Sequence, residues 1–123
     1  MKLQRKDLYY ESVLLRRLRR RTSSLLLEGA HYPFIEPLSF AAYENGAMLA
    51  MSNAGSMTLY KLLVHHMSNG FSKKMPELLA AHYLVQILSA VAILHKCNML
   101  HCDLKLDNIG VLGEGRFAWL LDF

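Results

Sequence analysis

A chain of 123 residues suffices for one small domain, and 53% hydrophobic with 20% charged residues excludes a disordered, low-complexity or collagen-like polymer. Cys97 and Cys102 are too few for a disulfide framework; no apolar signal-type stretch follows Met1, so a reducing, intracellular compartment is expected. The formal charge of +4 gathers at Arg16, Arg17, Arg19, Arg20 and Arg21; without interleaved aromatics this reads as a solvated helix end, and no direct nucleic-acid partner is expected.

Leu8, Val13, Leu14, Leu15 and Leu18 recur at helical spacing and predict a helix over residues 7–20. Residues 22–34, with Pro33 inside and Pro37 just beyond, predict a loop. Apolar runs at 38–43 and 47–51 flank Glu44-Asn45-Gly46-Ala47, and Asn-Gly between such runs predicts an antiparallel hairpin. Leu49 and Met51 suit either a strand core or the wall of a nucleotide pocket. A short helix over 58–66, with Leu59, Leu62 and Leu63 on one side, is stopped by Asn69-Gly70. Pro76 and Glu77 then suit the first turn of a helix running to about residue 95. This helix is apolar nearly all round, through residues such as Leu78, Leu84, Val85, Leu88 and Leu94, and is expected to be buried on several sides. His82, Gln86 and Ser89 interrupt the apolar run, so no membrane span is expected. Runs at 108–112 and 117–121 around Gly113-Glu114-Gly115-Arg116 predict a second hairpin. No repeat or domain boundary is visible, and the fold class is α+β.

The densest chemistry lies in His101-Cys102-Asp103-Leu104-Lys105-Leu106-Asp107-Asn108, with Asp122 further on. Asp103 can accept a proton from a hydroxyl, Lys105 can neutralise a transferring phosphoryl group, and Asn108 with Asp122 can supply oxygen ligands to Mg²⁺. A hairpin that starts at Asn108 and ends at Asp122 brings both ligands to one open end. The pattern therefore reads as a phosphoryl-transfer site. A zinc site from His95, Cys97, His101 and Cys102 is the rival, but it lacks the two separated ligand pairs of structural sites.

The run His101-x-Asp103-x-Lys105-x-x-Asn108, followed by a hairpin and Asp122-Phe123, resembles the catalytic loop and metal-binding Asp of eukaryotic protein kinases. The resemblance implies a partial protein-kinase-like fold: an N-lobe remnant over about 1–51, a hinge over about 52–57, and the start of a C-lobe over about 58–123. It implies ATP and Mg²⁺ as cofactors and a protein hydroxyl as substrate. Asp103 would orient or deprotonate that hydroxyl, Lys105 would contact the γ-phosphate, and Asn108 and Asp122 would bind Mg²⁺. His101 is expected to be structural and Asp107 a loop acid. In kinases a strand Lys held by a helix acid contacts the nucleotide phosphates; Lys2 with Asp7, or with Glu11, fits that pair, as do ordinary surface charges.

Within the kinases, Lys2-Leu3-Gln4 with Asp7-Leu8-Tyr9, Glu44-Asn45-Gly46, and the loop with Asp107-Asn108 look like the spindle-assembly-checkpoint BUB family. Cys102 stands where many kinases carry an Arg that contacts a phosphorylated activation segment, and that family also lacks it; Leu106 stands where Pro is common. This resemblance implies a Ser/Thr kinase acting in the nucleus at kinetochores, or in the cytoplasm, with checkpoint proteins as partners and Asp7 beside Lys2. No glycine-rich loop is present and the motif at Asp122-Phe123 lacks its Gly, so a fragment inactive on its own is expected. The rival functions are an inactive pseudokinase serving as a binding module and a small-molecule phosphotransferase. Lys105 argues against the latter, because protein Ser/Thr kinases favour Lys there.

Overall fold

A computed structural model of the chain describes residues 4–53, 57–68, 74–112 and 117–120. The elements in order are helix α1 (Gln4–Thr22), strands β1 (Pro37–Tyr43), β2 (Gly46–Met51) and β3 (Met57–Thr58), helices α2 (Leu59–Ser68) and α3 (Glu77–Lys96), and strands β4 (Ile109–Leu112) and β5 (Phe117–Leu120). They form two compact units, Met1–Ala30 with Ile35–Asn53, and His31–Phe34 with Ala54–Phe123.

In the first unit α1 packs on the β1–β2 hairpin. Ser12, Leu15, Leu18 and Thr22 are buried, a spacing that keeps them on one helix face. The two hydroxyls are satisfied on the helix itself: Ser12 Oγ donates to the Tyr9 carbonyl at 2.7 Å and Thr22 Oγ1 to the Leu18 carbonyl at 2.8 Å. Val13, expected on the apolar stripe, is exposed, and Ser12 takes the inward position. Tyr9 meets Phe40 of β1 edge to face at 5.7 Å. The hairpin base is clamped where Pro37 can donate nothing: Ser52 N–H donates to the Glu36 carbonyl at 2.8 Å, and Glu36 N–H donates to Ser52 Oγ at 2.9 Å. Tyr43 pairs with Gly46, so Glu44 and Asn45 form the turn and the glycine belongs to the strand. Leu49 is half-buried and Met51 exposed, so neither is a core residue.

In the second unit β3, β4 and β5 form an antiparallel sheet in that order, with Met57 opposite Val111 and Ile109 opposite Leu120. Met57, expected in the hinge, is therefore a strand residue; Ala54-Gly55-Ser56 of that hinge lie outside the described residues. Thr58 Oγ1 accepts the Lys61 N–H at 3.3 Å and starts α2 as its cap. The second hairpin begins at Ile109 rather than Asn108, because Leu106–Asn108 closes a 3₁₀ turn first. Asn69-Gly70 and the turn at 113–116 lie outside the described residues.

Helix α3 departs from expectation. Tyr83, Ala90 and Leu94 are buried, but Leu78, Leu84, Val85 and Leu88 are exposed, so one side is covered and the other is not. By length and composition alone α3 is apolar enough to cross a membrane, with mean hydropathy 1.8, in the stretch where no span was expected.

Candidate phosphoryl-transfer loop

The loop is aimed by the way α3 ends. Asn98 adopts φ 57°, the left-handed conformation that Asn tolerates better than most residues. Its N–H donates to the His95 carbonyl at 3.0 Å, and Met99 N–H donates to the Leu94 carbonyl at 3.1 Å. Those two bonds form a Schellman motif, which satisfies the last carbonyls and turns the chain out of the helix.

His101 follows as a buried residue. Its Nδ1 accepts the Asp103 N–H at 3.2 Å, which in the neutral ring leaves the proton on Nε2. Between them Cys102 is held at φ 68° and exposed. A non-glycine residue there stores roughly 1–2 kcal/mol, which the flanking contacts must hold. Lys105 is extended, with φ −157° and ψ 162°, and Asn108 N–H donates to its carbonyl at 2.9 Å to close the 3₁₀ turn.

These backbone turns bring together three of the residues singled out in the sequence. Lys105 Nζ lies 3.2 Å from Asp103 Oδ2. Asn108 Nδ2 donates to the same Oδ2 at 3.0 Å and to the Asp103 carbonyl at 2.9 Å. Asn108 is buried at 4% exposure, whereas Asp103 and Lys105 present side chains that are 59% and 54% exposed. The hydrogen bond from Lys105, ahead of its charge and of the Asn108 amide, holds the Asp103 carboxyl below the usual carboxylate range despite some desolvation. The result is an ionised carboxylate facing solvent, with an ammonium beside it and a buried amide beneath it.

The donor set suits a hard divalent cation. Asn108 uses its amide nitrogen on Asp103, which leaves Oδ1 as the acceptor, and Asp103 has Oδ1 outside the contacts just described. Asp122, Phe123 and Lys2 lie outside the described residues. Asp7 is an exposed acid in the first turn of α1, where the positive end of the helix dipole favours it. Glu11 is half-buried on the same helix, and Asp107 is exposed within the 3₁₀ turn. Among the described residues no three or more His, Cys, Asp or Glu side chains are grouped to hold a metal, so the zinc cluster of His95, Cys97, His101 and Cys102 does not form.

Reasoning from sequence missed the two hydrogen bonds from Asn108 Nδ2 to Asp103 and the left-handed positions at Asn98 and Cys102. The only available signal was Asn98 itself, placed just past an apolar helix.

No family model matches the chain. Over 103 residues it is 30% identical to Protein kinase 3 of Dictyostelium discoideum, covering 83% of this chain and 10% of that protein. Over 87 residues it is 30% identical to the mitotic checkpoint serine/threonine-protein kinase BUB1 of Mus musculus, covering 68% of this chain and 8% of that protein. The chain thus spans about a tenth of the length of the curated relatives it matches. It is distantly similar to protein kinases, and the likeness is to kinases at large rather than to the checkpoint branch in particular.

Proposed function

We propose that this chain is part of a protein Ser/Thr kinase domain and that residues 101–108 are its phosphoryl-transfer loop. The observation that carries the reading is the convergence of Lys105 Nζ and Asn108 Nδ2 on one carboxylate oxygen of Asp103. An acid, a cation and an oxygen ligand held together in this way are the protein groups that phosphoryl transfer requires.

In this reading Asp103 orients the substrate hydroxyl and takes its proton at the carboxylate. It is ionised at neutral pH, so the acceptor is available without prior loss of a proton. Lys105, exposed beside it, would neutralise charge on the transferring phosphoryl group. Asn108 fixes Asp103 through its amide nitrogen, and its oxygen, with Asp122, would hold Mg²⁺. Bound Mg·ATP supplies the phosphoryl group and the divalent charge that shields it. Lys2, with Asp7 or Glu11 beside it, would hold the α- and β-phosphates of the nucleotide. The narrower form of the proposal is mitotic checkpoint signalling at kinetochores, supported by the likeness to the mouse kinase.

The test is phosphate transfer from radiolabelled ATP to a generic protein substrate by the polypeptide that carries this chain in its source. Transfer is expected to fall roughly 10²–10⁴-fold on Asp103→Asn. An Asp103→Asn protein with normal turnover sinks the assignment.

A further inference from the structure

The basic face of α1 plays no part in the loop. Arg16, Arg17 and Arg20 are exposed, and together with Val13 they line a cavity of about 290 Å³ in the first unit. Their spacing puts them on one stripe of the helix. Arg19 is different, because its Nε lies 2.7 Å from Glu36 Oε1. Among the described residues no carboxylate pairs with Arg16, Arg17 or Arg20, and no acid lines the cavity. Like charges at neighbouring helix positions repel, so this stripe carries charge that an anion would relieve.

We propose that the cavity docks a phosphorylated Ser or Thr of a protein segment, gripped by the guanidinium forks of Arg16, Arg17 and Arg20, with Val13 against the adjoining apolar side chain. Guanidinium forks match phosphate oxygens pairwise, and a phosphate monoester carries close to two negative charges at neutral pH. Nucleic acid fits less well: a duplex footprint runs to roughly 6–10 phosphate contacts, more than a few arginines within two helical turns can make. A membrane surface fits less well also, since among the described residues Val13 is the single apolar one lining the cavity. The proposal rests on α1 alone and stands or falls apart from the kinase reading.

Fluorescence anisotropy with the full 123-residue chain tests it, using a labelled peptide that carries phosphoserine beside leucine, its unphosphorylated form, and its Ser→Asp form. The phosphopeptide is expected to bind at least ~10-fold more tightly than either, and Arg17→Gln and Arg20→Gln are each expected to weaken it ~10-fold. Arg17→Lys keeps the charge and loses the fork, and is expected to weaken binding several-fold with unchanged circular dichroism. Lys96→Gln on α3 removes the same charge elsewhere and is expected to change nothing. Equal binding of the Asp and phosphoserine peptides overturns the proposal, as does equal loss on Lys96→Gln. Preference for single-stranded RNA or for phosphatidylserine vesicles over the phosphopeptide overturns it too.

Discussion

At Asp103 Oδ2 a charged donor and a neutral donor meet, and that has a consequence in pH. The hydrogen bond from Lys105 is the main cause of the lowered carboxyl pKa. A carboxyl whose folded pKa is depressed contributes stability that is present above its unfolded pKa and lost as pH falls through the folded value. A ¹³C titration of Asp103 should therefore show a midpoint below that of a free aspartate, and Lys105→Met should move it back up. Identical midpoints in the two proteins would mean that the contact does not persist in solution. A second side chain makes the opposite point. Tyr83 lines an apolar cavity of about 330 Å³ with Leu59, Leu63, Leu84, Ile87 and Leu106, and its buried hydroxyl has no hydrogen-bond partner among the described residues. Burial pushes its phenol pKa up. Removing the hydroxyl removes a desolvated polar group, so Tyr83→Phe should raise stability by about 1 kcal/mol in thermal unfolding. A lower melting temperature would show that the hydroxyl has found a partner.

Among the elements, the end of α3 sets the loop's direction, and the backbone angle at Asn98 decides it. Asn98→Gly removes the Cβ that disfavours the left-handed region, and is expected to leave stability within about 0.5 kcal/mol; Asn98→Ala should cost about 1 kcal/mol. Equal losses in urea unfolding would mean that the Asn side chain, not its backbone angle, is what matters. The extent to which such features could be read in advance follows from how much sequence each occupies. Helix α1 and the β1–β2 hairpin were legible because apolar spacing and Glu44-Asn45-Gly46 repeat a signal over several residues. Strand β3 was not, since Met57 and Thr58 are too few to show a period and their pairing with Val111 and Gly110 is long-range. In the loop the residue types were legible, and their convergence was not. The bonds that assemble Asp103, Lys105 and Asn108 depend on Cys102 at positive φ and on the 3₁₀ turn, neither of which has a compositional mark.

For the whole molecule, the distribution of apolar surface over α3 governs behaviour in solution. Tyr83, Ala90 and Leu94 lie on one helix face and are buried; Leu78, Val85 and Leu88 lie on the opposite face at 87%, 64% and 58% exposure. Burying each of those large side chains is worth roughly 1.5–3 kcal/mol, and here that stabilisation is left unused. A contiguous exposed stripe of this kind drives association. The chain should therefore sediment as a concentration-dependent mixture, and the double variant Val85→Glu/Leu88→Lys, which places an ion-pair spacing on the open face, should sediment as a monomer. Because no described residue covers those two side chains, its melting midpoint should move little, as for other surface substitutions within about 0.5 kcal/mol. If the double variant instead unfolds, the outer face of α3 is packed in solution, and the half-covered helix described here is not the form that the chain adopts.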